Sequence, residues 1–211
     1  LDAIKNNQKT VYIVRGGSGT GKSVVAINLL AECIHSGYMA QYITSNAAPR
    51  NVYSAMLQQG YKKSEIKALF QSSGTFHTRK KNELQIAIVD EAHRLRKKSG
   101  MFQNQGEDQI KEIINASIFS VFFIDRNQRV TFNDAGTIDK IRNFAQEQNS
   151  LIYEGVLESQ FRCNGSDGYL AWLDNVLQIA ETANYDGFEG DYDFKIFDNP
   201  HDMYDAIKAK N

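Results

Sequence analysis

The chain is poor in cysteine and proline, with two of each among its 211 residues. Cys33 and Cys163 lie far apart, which fits neither a disulfide framework nor a zinc site and is typical of a reducing cytosol. We therefore expect a cytoplasmic protein. An excess of one charge is also missing, because 24 Lys and Arg stand against 25 Asp and Glu. The net charge alone therefore does not indicate a nucleic-acid binder.

Long hydrophobic runs are missing as well. No apolar run approaches the roughly 20 residues that a membrane-spanning helix needs, so we expect no membrane contact. No signal peptide opens the chain, which begins with Leu1 rather than Met and stops within an apparent helix. We therefore expect these residues to be part of a longer protein.

The chain does have an ordinary globular composition and a regular alternation of strands and helices. Hydrophobic residues make up 42% of it, and a chain of this length can bury a full core. The alternation predicts an α/β fold, a three-layer α/β/α sandwich with a mainly parallel sheet. The predicted strands are residues 10–14, 39–44, 84–89, 119–124, 151–157 and 193–197. The predicted helices are 22–34, 52–59, 64–70, 108–117, 137–148 and 166–180, with another start near 200 and a polar loop over 71–82.

A complete phosphate-binding pattern, G-x-x-x-x-G-K-[ST], stands between the first predicted strand and the first long helix. Its glycines let successive backbone N–H groups converge on one anion, and the helix N-terminus adds partial positive charge. We expect Lys22 to bridge the β- and γ-phosphates of a nucleotide and Ser23 to bind Mg²⁺ through its hydroxyl. The alternative is a glycine-rich turn without a ligand. The pattern consists of Gly16, Gly17, Ser18, Gly19, Thr20, Gly21, Lys22 and Ser23.

Two acidic residues directly follow the predicted strand 84–89. A carboxylate at this point faces the crevice outside the carboxyl edge of a parallel sheet, where ligands bind. We expect Asp90 to hold Mg²⁺ through water, and Glu91 to orient and deprotonate an attacking water. The alternative is a pair of solvated loop acids. His93 either couples the γ-phosphate to the next strand or is a hydrogen-bonded loop histidine.

Two later residues are candidates for contact with the γ-phosphate. Gln128 follows the strand 119–124, and its amide can bond both phosphate and water. Otherwise it is a turn glutamine. Arg162 follows the strand 151–157 and is a candidate arginine finger, which stabilises charge on the transferring phosphoryl group. Otherwise it is a surface or salt-bridged arginine.

These residues, in this order, resemble the motifs of superfamily 1 helicases and translocases. The resemblance covers about residues 10–180, although Ile124 stands where the third motif of helicases has glycine. It is closer still to the Schlafen group 3-like helicase-domain family of uncharacterised bacterial ATPases. The stretches that carry this resemblance are G-G-x-G-T-G-K-S, T-x-N-A-A-P-R, D-E-A-H-R-L, F-F-I-D-x-N-Q and Q-F-R-C-N-G-S.

The resemblance implies a RecA-like P-loop NTPase that binds ATP and Mg²⁺ and hydrolyses ATP as a motor lobe of a DNA/RNA helicase or translocase. It also implies contact of Thr44 and Asn46 with single-stranded DNA or RNA in the parent protein, and Arg50 is a further candidate. No second-lobe motifs follow Ala183. We therefore expect an ATPase lobe over 1–183 and, over 184–211, the start of a further βα unit from the truncated second lobe.

Two other functions fit the same residues. One is an ATP-driven switch or signalling ATPase that acts on a protein partner, in which residues 44–50 are structural. The other is a phosphotransferase such as a nucleotide kinase, against which Glu91 and Gln128 argue, because a kinase does not activate water. The oligomeric state stays open.

Overall fold

The structure, a computed structural model, describes residues 2–58, 60, 62–100, 102–128, 131, 133–159, 167–179, 181–183 and 195–210. The chain divides into two units, Leu1–Phe161 and Arg162–Asn211. The predicted boundary near residue 183 stays a prediction. Among the described residues, no helix has both the length and the hydropathy needed to cross a membrane.

The first unit contains one parallel sheet. Its described strands are β1 (Thr10–Gly16), β2 (Ala40–Thr44), β3 (Phe70–Ser72), β4 (Leu84–Val89), β5 (Ser117–Ile124) and β6 (Leu151–Leu157). They lie in the order β3-β2-β4-β5-β1-β6, and every neighbouring pair is parallel. The predicted α/β class is confirmed, with the RecA-like arrangement in which one strand, β5, separates the P-loop strand β1 from the acidic strand β4.

Helices cover both faces of this sheet. The described helices of the first unit are α1 (Asp2–Lys5), α2 (Lys22–His35), α3 (Ala47–Leu57), α4 (Lys63–Leu69), α5 (Gln109–Ala116) and α6 (Ile138–Glu147). On one face, α2 and α4 contribute Ala26, Leu30 and Ile66 to the core. On the other, α5 and α6 contribute Ile113 and Ile141. This is the three-layer sandwich that the alternation of strands and helices predicts.

The central strands are buried on both faces, and their side chains alternate with period two. In β4, Ile86 and Ile88 face the α2 side of the sheet, whereas Val89 faces the α5 side. In β5, Phe123 and Phe122 divide in the same way. The resulting near-continuous apolar runs are the reason these strands are visible in the sequence.

The predicted polar loop over residues 71–82 is wrong in its first part. Residues Phe70–Ser72 form β3, which pairs in parallel with β2 from Tyr42 to Thr44, and Ser73–Thr78 form a 3₁₀ helix. The Phe70 ring is buried against Tyr42, with centroids 5.6 Å apart. The sequence does not reveal β3 because a three-residue edge strand with two polar residues has no periodicity to detect.

The second unit contains two described helices, α7 (Asp167–Val176) and α8 (Pro200–Lys210). The helix start predicted near Pro200 is therefore confirmed. The hydroxyl of Thr182 donates to the carbonyl of Ala171 at 2.6 Å. The strand predicted at 193–197 lies partly outside the described residues, and 195–197 have no regular secondary structure.

Candidate functional site

The phosphate pattern forms a tight loop between the end of β1 and the start of α2. Gly19 and Gly21 both have φ of 81°, in the left-handed region that glycine adopts without strain. At Gly16, a Cβ atom would lie only 2.4 Å from Oγ1 of Thr20. The Thr20 hydroxyl itself donates to the carbonyl of Gly17 at 3.0 Å. The loop therefore needs glycine at these positions to close on itself.

Lys22 is 6% exposed and its ammonium group lies against the loop that precedes it. Its Nζ donates to the carbonyls of Gly16 at 2.9 Å and Gly17 at 2.6 Å. It also lies 3.5 Å from Oδ2 of Asp125, which is 3% exposed. A buried cation is thus paired within the protein at the point where the loop curls.

Asp90 follows β4 and is 1% exposed, with both carboxylate oxygens engaged. Its Oδ2 accepts from the hydroxyl of Ser23 at 2.6 Å and from that of Tyr42 at 2.5 Å. Its Oδ1 accepts from the backbone N–H of Glu91 at 3.0 Å. Burial raises the pKa of Tyr42 far above its usual range, and Asp90 adds to the increase, so the phenol stays a donor. The two residues predicted to hold Mg²⁺ are thus in direct contact.

Glu91 and His93 form a second contact beside Asp90. Glu91 has φ of 56° and its half-buried carboxylate lies 3.2 Å from Nε2 of His93. The backbone N–H of Asp125 donates to Nδ1 of His93 at 3.4 Å, which assigns the proton of a neutral imidazole to Nε2. The interaction with His93 lowers the pKa of Glu91, against the opposite effect of burial. Glu91 is therefore an ionised carboxylate, and buried His93 links it to β5.

Asp125 is the site residue that the sequence did not assign to a role. It follows β5, the strand between β1 and β4, so its carboxylate lies at the same sheet edge as Lys22 and Asp90. Its Oδ1 accepts from the backbone N–H of Asn127 at 3.0 Å. The available signal was its place in the chain, directly after a mostly apolar strand, as for Asp90.

The structure does not test the other two predicted contacts with the γ-phosphate. Gln128 lies three residues beyond Asp125 and is half-buried. Arg162 lies outside the described residues. Their contacts with a phosphate group stay predictions.

The residues predicted to contact nucleic acid lie at the end of β2 and the start of α3. Thr44 is fully buried, and its hydroxyl accepts from the backbone N–H of Asn46 at 3.3 Å. The Asn46 side chain caps α3 by accepting from the N–H of Ala48 at 3.1 Å. Arg50 is half-buried in the first turns of the same helix. The side chains of Thr44 and Asn46 therefore have local structural roles.

Comparison with known proteins identifies the family. Residues 9–211 match the Schlafen group 3, DNA/RNA helicase domain. The chain belongs to this family. The resemblance drawn from the motifs is thereby confirmed over nearly the whole chain.

Individual relatives of this Schlafen group 3 domain are more distant. An uncharacterized protein of Saccharomyces cerevisiae is 22% identical over 237 aligned positions, which cover 95% of this chain and 51% of the yeast protein. The chain thus spans about half the length of the curated relative it matches. Among solved structures, the Hef helicase domain of Pyrococcus furiosus has a TM-score of 0.44 at 11% identity, with 74% of this chain and 37% of that chain covered. A DNA replication initiation factor has a TM-score of 0.38 at 15% identity, with 99% and 57% covered.

A cavity of about 660 Å³ adjoins the phosphate loop of the Schlafen group 3 domain. One wall is the start of α2, where Val24 and Val25 are exposed. The other wall is the end of β6 and the residues after it, Val156 to Ser159. The cavity volume falls in the range of small-molecule sites, and its walls are mostly apolar. It is therefore suited to the flat, apolar part of a ligand whose phosphates lie in the loop.

Proposed function

We propose that this domain binds ATP with Mg²⁺ and hydrolyses it, as a motor lobe of a superfamily 1-like DNA/RNA helicase or translocase. The contact of Ser23 with Asp90 beside the buried Lys22 carries this proposal. Ser23 and Asp90 are 67 residues apart in the chain, but their side chains meet at one edge of the sheet. The Lys22 cation lies at the same edge. A glycine-rich turn without a ligand gives no reason for this convergence.

The donor set fits Mg²⁺. A hydroxyl and a single carboxylate are what the ion takes from a protein when phosphates and water supply its other ligands. Ser23 Oγ and Asp90 Oδ2 are 2.6 Å apart and so can face one ion together. When bound, Mg²⁺ would neutralise charge on the phosphates.

The protein's own groups then bind and orient the nucleotide. Lys22 now donates to the carbonyls of Gly16 and Gly17, and in the complex it would donate to the β- and γ-phosphate oxygens instead. The loop amides and the start of α2 would hold the remaining phosphate charge. The base would lie in the cavity between Val24 and Val156.

Glu91 is the general base in this proposal. Its lowered pKa keeps the carboxylate ionised, and its half-buried position leaves access to a water molecule. His93 is a positioning residue, because it contacts the Glu91 carboxylate and accepts from the backbone that follows β5. Gln128 would bond the water or the γ-phosphate, and Arg162 would stabilise charge in the transition state.

Phosphate release from ATP tests this function. We expect the wild-type chain to release phosphate with Mg²⁺, and Lys22→Ala and Glu91→Gln each to reduce the rate by about 100-fold or more. Glu91→Gln should keep nucleotide affinity, because the amide preserves shape, whereas Lys22→Ala should lose it. Normal turnover in Glu91→Gln would refute the role of that residue. Replacing ATP by GTP measures the preference for the nucleobase. Transfer of the phosphate to an acceptor, instead of its release, would indicate a kinase.

An ATP-driven switch that acts on a protein partner is the second candidate. The burial of Thr44 and the capping role of Asn46 favour it, since this function makes residues 44–50 structural. Single-stranded DNA and RNA separate the two functions. Strong stimulation of phosphate release by one polymer supports the motor, and its loss in Arg50→Ala would place Arg50 at the nucleic acid. Turnover that is indifferent to both polymers supports the switch.

A further inference from the structure

A small polar pocket lies beyond the ends of β2 and β3, at the same edge of the sheet as the phosphate loop. Its volume is about 190 Å³, which leaves room for one phosphate group and a few waters. No acidic residue is among its described lining residues. Those that matter below are Ser45, Ser73, Gly74, Arg96, Lys98 and Ser99.

Arg96 and Lys98 bring two positive charges to this pocket. Both side chains are exposed, and neither forms an ion pair within the part of the chain that the structure describes. Asp134 is joined to Arg96 by an antiparallel backbone bridge. Its carboxylate oxygens accept from the backbone N–H and the hydroxyl of Thr131, at 2.9 and 2.8 Å. The pocket therefore has a net positive field.

Hydroxyl groups fixed by the surrounding structure form the floor of the pocket. Ser45 donates to the carbonyl of Arg94 at 3.1 Å and contacts Ser73 at 3.1 Å. The amide of Gln109 donates to Oγ of Ser99 at 3.0 Å, while its oxygen accepts from the N–H of Arg96 at 2.9 Å. Because Ser99 accepts from Gln109, its own O–H proton is directed to another acceptor. A phosphate oxygen is such an acceptor.

An exposed aromatic ring lies on the hairpin that contributes Ser99 and Gly100 to the pocket. Ser99 and Gln105 pair antiparallel through backbone bonds of 2.8 and 3.1 Å, and Gly100 has φ of 84° in the tight turn between them. Phe102 is in this turn and is 81% exposed. A positive pocket for backbone phosphates beside an exposed ring for bases is the combination that single-stranded nucleic acids need.

We propose that this pocket binds a backbone phosphate of a single-stranded nucleic acid and that Phe102 stacks on a neighbouring base. Arg96 and Lys98 neutralise the phosphate, and Ser99 donates a hydrogen bond to it. The proposal rests on the nucleic-acid part of the proposed function and gives it contacts other than Thr44 and Asn46.

Binding of a fluorescein-labelled oligothymidylate, measured without nucleotide over a range of salt concentrations, tests the pocket. The double variant Arg96→Gln/Lys98→Gln should weaken binding about tenfold at low salt. It should also reduce the slope of log K against log salt by about 0.7, because the pocket holds one phosphate and each single-strand phosphate contact contributes about 0.7. The matched control is Lys80→Gln/Lys81→Gln. It removes the same charge from exposed residues before β4, at the opposite edge of the sheet.

The control decides between a site and general electrostatics. Equal losses in the two double variants, or wild-type binding by Arg96→Gln/Lys98→Gln, would overturn the pocket. Circular dichroism of each variant ensures that a loss of binding is not a loss of fold. Loss of inorganic phosphate binding in Arg96→Gln/Lys98→Gln with unchanged oligothymidylate affinity would make free phosphate the ligand and also overturn the proposal.

A third variant tests the stacking. Phe102→Ala should weaken oligothymidylate binding by about fivefold or more and leave the salt slope unchanged. Unchanged affinity would refute the role of the ring.

Phosphate release from ATP, measured on the same proteins, separates this proposal from the proposed function. A wild-type chain that hydrolyses ATP but binds no oligonucleotide would refute the pocket and leave the ATPase standing. Oligonucleotide binding that depends on Arg96 and Lys98, without hydrolysis, would refute the ATPase alone.

Discussion

The phosphate loop and the small polar pocket lie at one edge of the same sheet, but the charged groups of the loop are buried and those of the pocket are exposed. At the loop, Lys22, Asp90 and Asp125 are buried, and each is bonded to other protein atoms. At the pocket, Arg96 and Lys98 are exposed and unpaired within the described residues. Buried charges must be satisfied inside the protein, whereas exposed charges are satisfied by water.

This difference indicates how each region is prepared for its ligand. The loop is held by buried contacts with the strand ends, as the Ser23–Asp90 and Lys22–Asp125 pairs show. The pocket has a floor of hydrogen-bonded hydroxyl groups, and its charges are exposed to water. Substitutions at the loop should therefore change both stability and activity, and substitutions at the pocket should change binding alone.

The largest expected effect on stability is that of Asp125→Ala. The variant leaves the Lys22 ammonium without its buried carboxylate and removes the acceptor of the Asn127 N–H. Breaking a buried pair on one side typically costs about 3 kcal/mol or more, and we expect that loss in the free energy of unfolding. Urea denaturation measures it.

Two controls sharpen this prediction. Asp139→Ala removes a carboxylate that is 85% exposed and 3.2 Å from Arg142, so its cost should stay below about 0.5 kcal/mol. The pocket variant Arg96→Gln/Lys98→Gln should likewise stay within about 0.5 kcal/mol of the wild type. If Arg96→Gln/Lys98→Gln lowered the free energy of unfolding as much as Asp125→Ala, the charges of the pocket would be as important for stability as those of the loop.

A smaller effect is expected at Tyr42. Tyr42→Phe keeps the buried ring but removes its hydrogen bond to Asp90. A hydrogen bond to a charged group contributes about 2 kcal/mol, so unfolding should become easier by about that amount. Nucleotide affinity in the presence of Mg²⁺ should fall too, because Asp90 loses one of the groups that orient it. Tyr53→Phe is the matched control, since its ring packs on Tyr42 but is only half-buried. Equal losses in both variants would indicate a general effect of removing a phenol hydroxyl rather than loss of the bond to Asp90.

The sequence predicted the parts of the site that are contiguous in the chain. The phosphate loop is a run of eight residues with its own pattern, and Asp90 and Glu91 directly follow a mostly apolar strand. The sheet was predictable for the same reason, because β4 and β5 are near-continuous apolar runs. Local order in the chain was sufficient in each case.

The contacts that the sequence did not reveal depend on which strands are neighbours in the sheet. Tyr42 lies 48 positions from Asp90, and their contact exists because β2 pairs with β4. Asp125 contacts Lys22 because β5 lies beside β1. Thr44 and Asn46 matched a nucleic-acid motif, but burial and helix capping give them structural roles that no motif records. Strand order, burial and capping are properties of the fold and have no local signature.

The ion pair of Asp108 combines a buried carboxylate with a partly exposed cation, and we expect its substitution to have the smallest effect on stability. It caps α5 and is nearly buried, while its partner Lys140, 3.5 Å away, is partly exposed. Burial raises the pKa of Asp108, against the effects of the Ile110 N–H and Lys140. A raised pKa in the folded state means that the folded protein holds this proton more tightly, so stability falls as pH rises through the ordinary Asp range.

Asp108→Asn keeps a good cap and has no charge to bury. Its stability relative to the wild type, measured by urea denaturation, should therefore increase between about pH 4 and about pH 7. A relative stability that decreases over this interval would mean that the pair with Lys140 outweighs burial.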